Sequence, residues 1–264
     1  MNNKFVLCIF FICFWLVSNA KTISVCERCE YSSLNNAVKS ANPTDTLLIK
    51  KGWYSSQGIE INKPLTLIGE EGAVLNGEAK DYILKILSDS VTIQNLEFVN
   101  SGRSYTKDYA AIYIHKSGYF ELSDNLIRDS FFGILVEKSK NGLINKNRVL
   151  GEATREDQSG NGIHLWDCDR IIISDNEVTG MRDGIYLEFV DSSNVIDNHS
   201  HHNVRYGLHF MFSNHDDYKN NVFENVVIKN GNKNVTCTPP HDVPGAEYKD
   251  VLVKSKNKAA NETA

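Results

Sequence analysis

The sequence contains no long hydrophobic run. Its longest, 5–17, falls short of the about 20 residues that a spanning helix needs, so the chain is read as not itself membrane-spanning. It also has no excess of positive charge. With 28 Lys and Arg against 33 Asp and Glu, the net charge is −5, which argues against a nucleic-acid partner. No C-x-x-C…C-x-x-C or H-E-x-x-H spacing occurs, so zinc sites of those common kinds are excluded. Cysteine is sparse, and none of Cys8, Cys13 and Cys26 sits in a lipoprotein-like context. The pair Cys26 and Cys29 has no βαβ pattern around it and does not read as a thioredoxin-like motif. In an oxidising compartment it reads as a local disulfide, with a soft-metal site as the alternative.

The N-terminus carries one cation, Lys4, then the apolar run, then Ser18-Asn19-Ala20, a small-x-small cleavage site. Residues 1–20 are therefore expected to be a secretory signal, cleaved after Ala20. Residues 21–45 are expected to cap the fold. Thr22 to Val25 reads as a strand, and Ser33 is placed to cap a short helix whose apolar positions Leu34, Ala37, Val38 and Ala41 follow helical spacing. Short strand patterns then follow, punctuated by Gly52, Gly69 and Gly72.

The rest of the chain is a repeat, clearest over 161–226. Each copy sets a glycine (Gly162, Gly184, Gly207) before an aliphatic residue and an asparagine fourteen positions later (Asn176, Asn198, Asn221). The same offset links Ala111 to Asn125, Gly133 to Asn147 and, further upstream, Asp81 to Asn95. A period of about 22 residues with several short strands per copy predicts an all-β fold, a right-handed parallel β-helix over 46–228. The asparagines are expected to stack at one corner as hydrogen-bonded amides with a structural role. Longer spacings place two insertions, 101–109 and 151–160, at one corner, where insertions often border a binding face. From 229 the strand alternation stops, and 229–264 reads as an irregular or disordered tail.

Residues two and four positions after each strand start should point outward. They form two columns, Tyr113, Leu135, His164, Tyr186, His209 and His115, Glu137, Trp166, Glu188, Met211. Such a face is rich in aromatics and metal-ligating groups. His164 and His209 lie two rungs apart, roughly 9 to 10 Å, too far to share one ion. His209 and Met211 are closer and need a third donor such as Glu188. Imidazole with thioether favours copper, Cu(I) above all, so His209, Met211, Glu188 and His164 are the candidate metal ligands. Trp166, Tyr186, Arg182 and Arg205 are candidate partner contacts. His199, His201 and His202 form a second histidine cluster, placed on a turn between rungs.

The segments GNGIHLW (160–166), RDGIYLEF (182–189) and RYGLHFMFSN (205–214), with Asp217, Tyr218 and Asn221, resemble the NosD family of periplasmic β-helix proteins. Weaker likeness extends back to about Ser33. The resemblance implies a non-enzymatic copper-associated factor, exported to the periplasm, that serves maturation of nitrous oxide reductase. It implies as partners an ABC transporter permease and ATPase assembly, a copper chaperone and the reductase itself. It also implies further rungs, so the tail is expected to be C-terminally short relative to the family. The alternative is a carbohydrate-active enzyme, a polysaccharide lyase or epimerase, or a carbohydrate-binding solenoid, since a β-helix by itself does not fix function.

Overall fold

In a computed structural model of the chain, residues 20–104 and 106–224 are described, together with the strand Leu252–Lys254. The expected signal segment, apart from Ala20, and the expected tail, apart from that strand, lie outside the described residues.

Each rung contributes three short strands, as in Ile172–Ser174, Glu177–Thr179 and Asp183–Glu188. Like strands stack in parallel, so the rungs coil into a parallel β-helix with three sheets. The first sheet runs from Thr22–Val25 to Asp217–Lys219 and the second from Gly52–Ser55 to Leu252–Lys254. The third runs from Ile59–Ile61 to Tyr206–Met211. Alternation decides what faces in. Ile112, Ile134, Ile163, Ile185 and Leu208 are in register across the third sheet and buried in the coil. Burying each such side chain is worth about 1.5–3 kcal/mol.

The helix Leu34–Ser40 buries Leu34, Ala37 and Val38 against the first strands. Ser33 occupies its cap position but makes no side-chain cap hydrogen bond, contrary to the sequence expectation. Cys26 and Cys29 are disulfide-bonded just before it.

Five asparagines form the ladder between the first and second sheets. Asn125, Asn147, Asn176 and Asn198 each donate a side-chain N–H to the amide oxygen of the next asparagine, and the last acceptor is Asn221. Asn95 does not belong to it. The register pairs Gln94 with Ser123, so the ladder position on that rung falls on buried Leu96, whose backbone N–H donates to Asn125. The physical reason is a rung shortened by one residue: Ile83, not Asp81, precedes the strand Leu84–Ile86 that aligns with Ile112 to Ile114. Asn95 instead takes a left-handed turn (φ 54) beside Asp124 (φ 56).

At the corner between the third and first sheets, serines play a similar part. Ser139 Oγ accepts from the Ser117 N–H, Ser213 Oγ from that of Val190. Cys168 follows Ser139 in this column, and its thiol points to the carbonyls of Val136 and Trp166. Burial pushes that thiol up to about 12, so it is neither a ready ligand nor a nucleophile.

Candidate functional site

The outward face of the third sheet carries both expected columns in register. Tyr113 pairs with Leu135, Leu135 with His164, His164 with Tyr186 and Tyr186 with His209. His115, Glu137, Trp166, Glu188 and Met211 align beside them. Glycine opens the later strands of this face, at Gly133, Gly162, Gly184 and Gly207, because the second sheet comes too close for a side chain. A Cβ on Gly162 would lie 2.3 Å from Val178 Cγ1, and one on Gly184 would lie 1.9 Å from Ser200 Oγ.

Rings stack along the first column. The centroid of His164 is 4.6 Å from that of Tyr186, which is 4.6 Å from that of His209. The two imidazoles are therefore separated by an intervening ring, as the two-rung spacing requires. Phe132 covers the other side of His164 at 6.0 Å.

His164 is the distinctive group. Its side chain is 12% exposed, and both ring nitrogens lack a hydrogen-bond partner. Burial, helped by the Arg182 charge, depresses its pKa to about 4, so the ring is neutral at physiological pH with a lone pair available. Its Nε2 lies 3.9 Å from Glu188 Oε2. Met211 Sδ accepts a hydrogen bond of 2.8 Å from the Tyr186 hydroxyl. Burial and the neighbouring Glu188 carboxylate push that hydroxyl up to about 12.

The four candidate ligands are thus not one cluster. Glu188 is drawn to His164, Met211 to Tyr186, and His209 Nδ1 sits 3.3 Å from Asp183 Oδ2. Among the described residues, no three His, Cys, Asp or Glu side chains gather as a metal-binding group. Of the partner candidates, Arg205 clamps Asp183 with two hydrogen bonds, through Nε to Oδ1 at 2.9 Å and through Nη2 to Oδ2. Arg182 Nη2 donates to Asn161, while its buried Nε has no partner. Trp166 lies under the Lys138 ammonium at 4.9 Å.

Sequence reasoning missed Asp183. It is fully buried at the start of its strand, where it anchors both Arg205 and His209. Burial alone would raise its carboxyl, but the hydrogen bonds and charge interactions with His209 and Arg205 together outweigh it and hold the pKa below the usual range. The sequence signal was slight: an acid directly before the strand-opening Gly184.

A further group sits higher on the face. Glu137 accepts from Tyr113 at 2.6 Å and lies 3.3 Å from His115 Nδ1. Tyr82 stacks on Tyr113 at 4.7 Å and meets Tyr109 edge-on. Asp108, from the insertion 101–109, has its carboxyl raised by burial and by the charge of Glu137. Both insertions leave the corner between the second and third sheets and touch, Arg103 donating to the Gln158 carbonyl at 3.5 Å.

The family described as "Periplasmic copper-binding protein (NosD)" matches residues 38–239, most of the chain. The chain belongs to the NosD family. A protein of Pseudomonas aeruginosa named "Probable ABC transporter binding protein NosD" is 30% identical over 162 residues, 57% of this chain and 38% of that protein. Its counterpart from Stutzerimonas stutzeri is 30% identical over 135 residues, covering 50% and 31%. The matches span about a third of the length of these NosD relatives. Among solved structures, a rhamnogalacturonan lyase is similar at a TM-score of 0.48 with 9% identity, covering 78% of this chain and 74% of that one. A pectin methylesterase gives 0.46 and 12%, covering 93% and 95%. No helix among the described residues is long and apolar enough to cross a membrane.

The donor chemistry of this NosD chain fits a soft metal ion. A neutral imidazole with both nitrogens unpartnered and a carboxylate 3.9 Å away are donors that a d¹⁰ cation accepts, and the strand beyond that of Glu188 adds the thioether of Met211.

Proposed function

We propose that this chain is a periplasmic, non-enzymatic copper-handling protein, working with an ABC transporter in maturation of the copper centre of nitrous oxide reductase. The reading rests on the family, on the relatives' description as ABC transporter binding proteins, and on the third-sheet face. One observation carries it: buried His164 stays neutral and unpartnered beside Glu188, in a structure that otherwise satisfies nearly all of its buried polar side chains. An orphaned polar group in a buried site costs about 1–3 kcal/mol, and a cargo ion that accepts its lone pair removes the penalty. His164 and Glu188 hold the ion, while Met211 stands one strand beyond Glu188 and His209, fixed by Asp183, orients the stacked rings. Copper is cargo here, held and released, and Trp166 with the two insertions borders the surface a partner meets.

Anaerobic titration of the reduced mature protein against a chromophoric Cu(I) chelator tests this. Wild type is expected to compete for the metal, and His164→Ala with Glu188→Gln to lose that competition while keeping the β-sheet circular dichroism signal. No competition by wild type refutes the copper reading.

The carbohydrate-active reading has one observation in its favour. Tyr113, Glu137, His115 and the raised carboxyl of Asp108 put acid and base groups beside stacked aromatics. Cleavage of an anionic polysaccharide, seen as new absorbance of an unsaturated sugar and lost in Glu137→Gln, would establish it in place of the copper role.

A further inference from the structure

The second sheet carries a histidine group that the third-sheet face does not use. His199–His201 is a strand of the second sheet and not the turn between rungs expected from the sequence; alternation buries Ser200 and turns His199 and His201 outward. The next residue, His202, would ordinarily point the other way, but it takes the corner in a left-handed conformation (φ 52). Asn100, Asp129 and Gly180 turn the same corner on other rungs with φ of 58, 51 and 66. Asn, Asp and Gly enter this region most readily, and histidine is enriched there too. That turn swings the His202 ring back, leaving its Nδ1 2.7 Å from His201 Nδ1.

The other nitrogen of His201 is committed. Its Nε2 is 3.4 Å from Glu177 Oε1, and the carboxylate is itself held by Arg148 Nε at 2.7 Å. Donation from Nε2–H to Glu177 fixes the tautomer and leaves a lone pair on Nδ1. A carboxylate behind an imidazole is the usual support of a metal-ligating histidine. His199 stacks on His201 with centroids 4.2 Å apart, so the ring is held from its face as well.

The separation of the two Nδ1 atoms selects the ion. With metal–nitrogen bonds of about 2.0–2.1 Å, a gap of 2.7 Å subtends roughly 80–85°, near the right angle of a square-planar or octahedral centre. A tetrahedral centre would need about 3.4 Å at the same bond length. We infer that His201 and His202 chelate a divalent ion of tetragonal preference, Ni(II) or Cu(II), through their Nδ1 atoms, with Glu177 as a positioning carboxylate. This site lies on a different sheet from His164 and does not rest on the proposed Cu(I) function. Binding moves the His202 proton from Nδ1 to Nε2 and turns the two rings so that both Nδ1 lone pairs face the ion, with water filling the remaining positions.

The test is calorimetric titration of tag-free mature protein with Ni(II), alongside paramagnetic resonance of the Cu(II)-loaded form. Wild type is expected to bind one Ni(II) at this pair and to show nitrogen superhyperfine structure from two imidazoles. His202→Asn keeps a residue suited to the left-handed turn, and His201→Phe keeps a ring against His199. Each should weaken Ni(II) binding at least tenfold, and Glu177→Gln about tenfold. His164→Ala should leave it unchanged. The inference is overturned if wild type binds no Ni(II), if His202→Asn binds as wild type does, or if the Cu(II) spectrum shows no nitrogen coupling.

Discussion

The asparagine ladder gives the most quantitative prediction, because each bond of one member is defined. Asn176 Oδ1 accepts from the Asn147 backbone N–H at 2.8 Å and from Asn147 Nδ2 at 3.1 Å. Its Nδ2 donates to the Ile144 carbonyl and to Asn198 Oδ1, both at 2.9 Å. Asn176→Ala removes all four bonds. Asn147 Nδ2 keeps other acceptors, the carbonyls of Leu122 and Asn145. The Asn147 backbone N–H has no such alternative, and it is buried. Stranding that donor costs about 1–3 kcal/mol, and the other three bonds contribute about 0.5–1.5 kcal/mol each, giving roughly 3–7 kcal/mol in total. Asn95→Gly is the matched control. It lies outside the ladder with φ 54, a conformation glycine enters freely, and should change stability by no more than about 1 kcal/mol. Urea unfolding followed by far-ultraviolet circular dichroism measures both. The reasoning fails if Asn176→Ala loses less than about 1 kcal/mol, or if Asn95→Gly loses as much as Asn176→Ala.

Other consequences follow from single positions. Burial raises the Asp216 carboxyl to about 6 even though Ser193 N–H and Tyr218 hydroxyl donate to it. A folded pKa above the unfolded value means that this group's contribution to stability is present below about 4 and lost as pH rises through about 6. Asp216→Asn should therefore stabilise the chain at pH 8, by about 1–3 kcal/mol, and have little effect at pH 4; thermal melts at the two pH values read the difference. Gly184→Ala would put its Cβ 1.9 Å from Ser200 Oγ and 2.7 Å from the Gly207 carbonyl, whereas a Cβ on Gly118 meets nothing closer than 3.5 Å. The first should cost about 2–3 kcal/mol and the second far less in the same urea assay.

The fold was legible because a coil repeats both its turn chemistry and its side-chain alternation. Gly162, Gly184 and Gly207 open strands where a Cβ would meet the second sheet, and the two outward columns came out in register. Asn95 misled because a fourteen-residue offset was carried across a rung one residue shorter, and an offset cannot reveal its own exception. Asp183 escaped because alternation describes the middle of a strand, whereas this acid acts at a corner, where its carboxylate reaches Arg205 and His209. The convergence of His201 and His202 depends on one left-handed residue, which sequence spacing does not encode. The candidate site was legible as a list of donors and not as a grouping. Which ligand meets which was decided by ring stacking between strands, with Tyr186 set between the two imidazoles.

Cu(I) binding by the third-sheet face depends on His164 and Glu188. X-ray absorption at the copper edge of the Cu(I)-loaded mature protein tests it most directly. A nitrogen and oxygen shell with imidazole scattering is expected, the imidazole scattering lost in His164→Ala and the shell reduced in Glu188→Gln. A spectrum without imidazole scattering, or one unchanged by both substitutions, would contradict it.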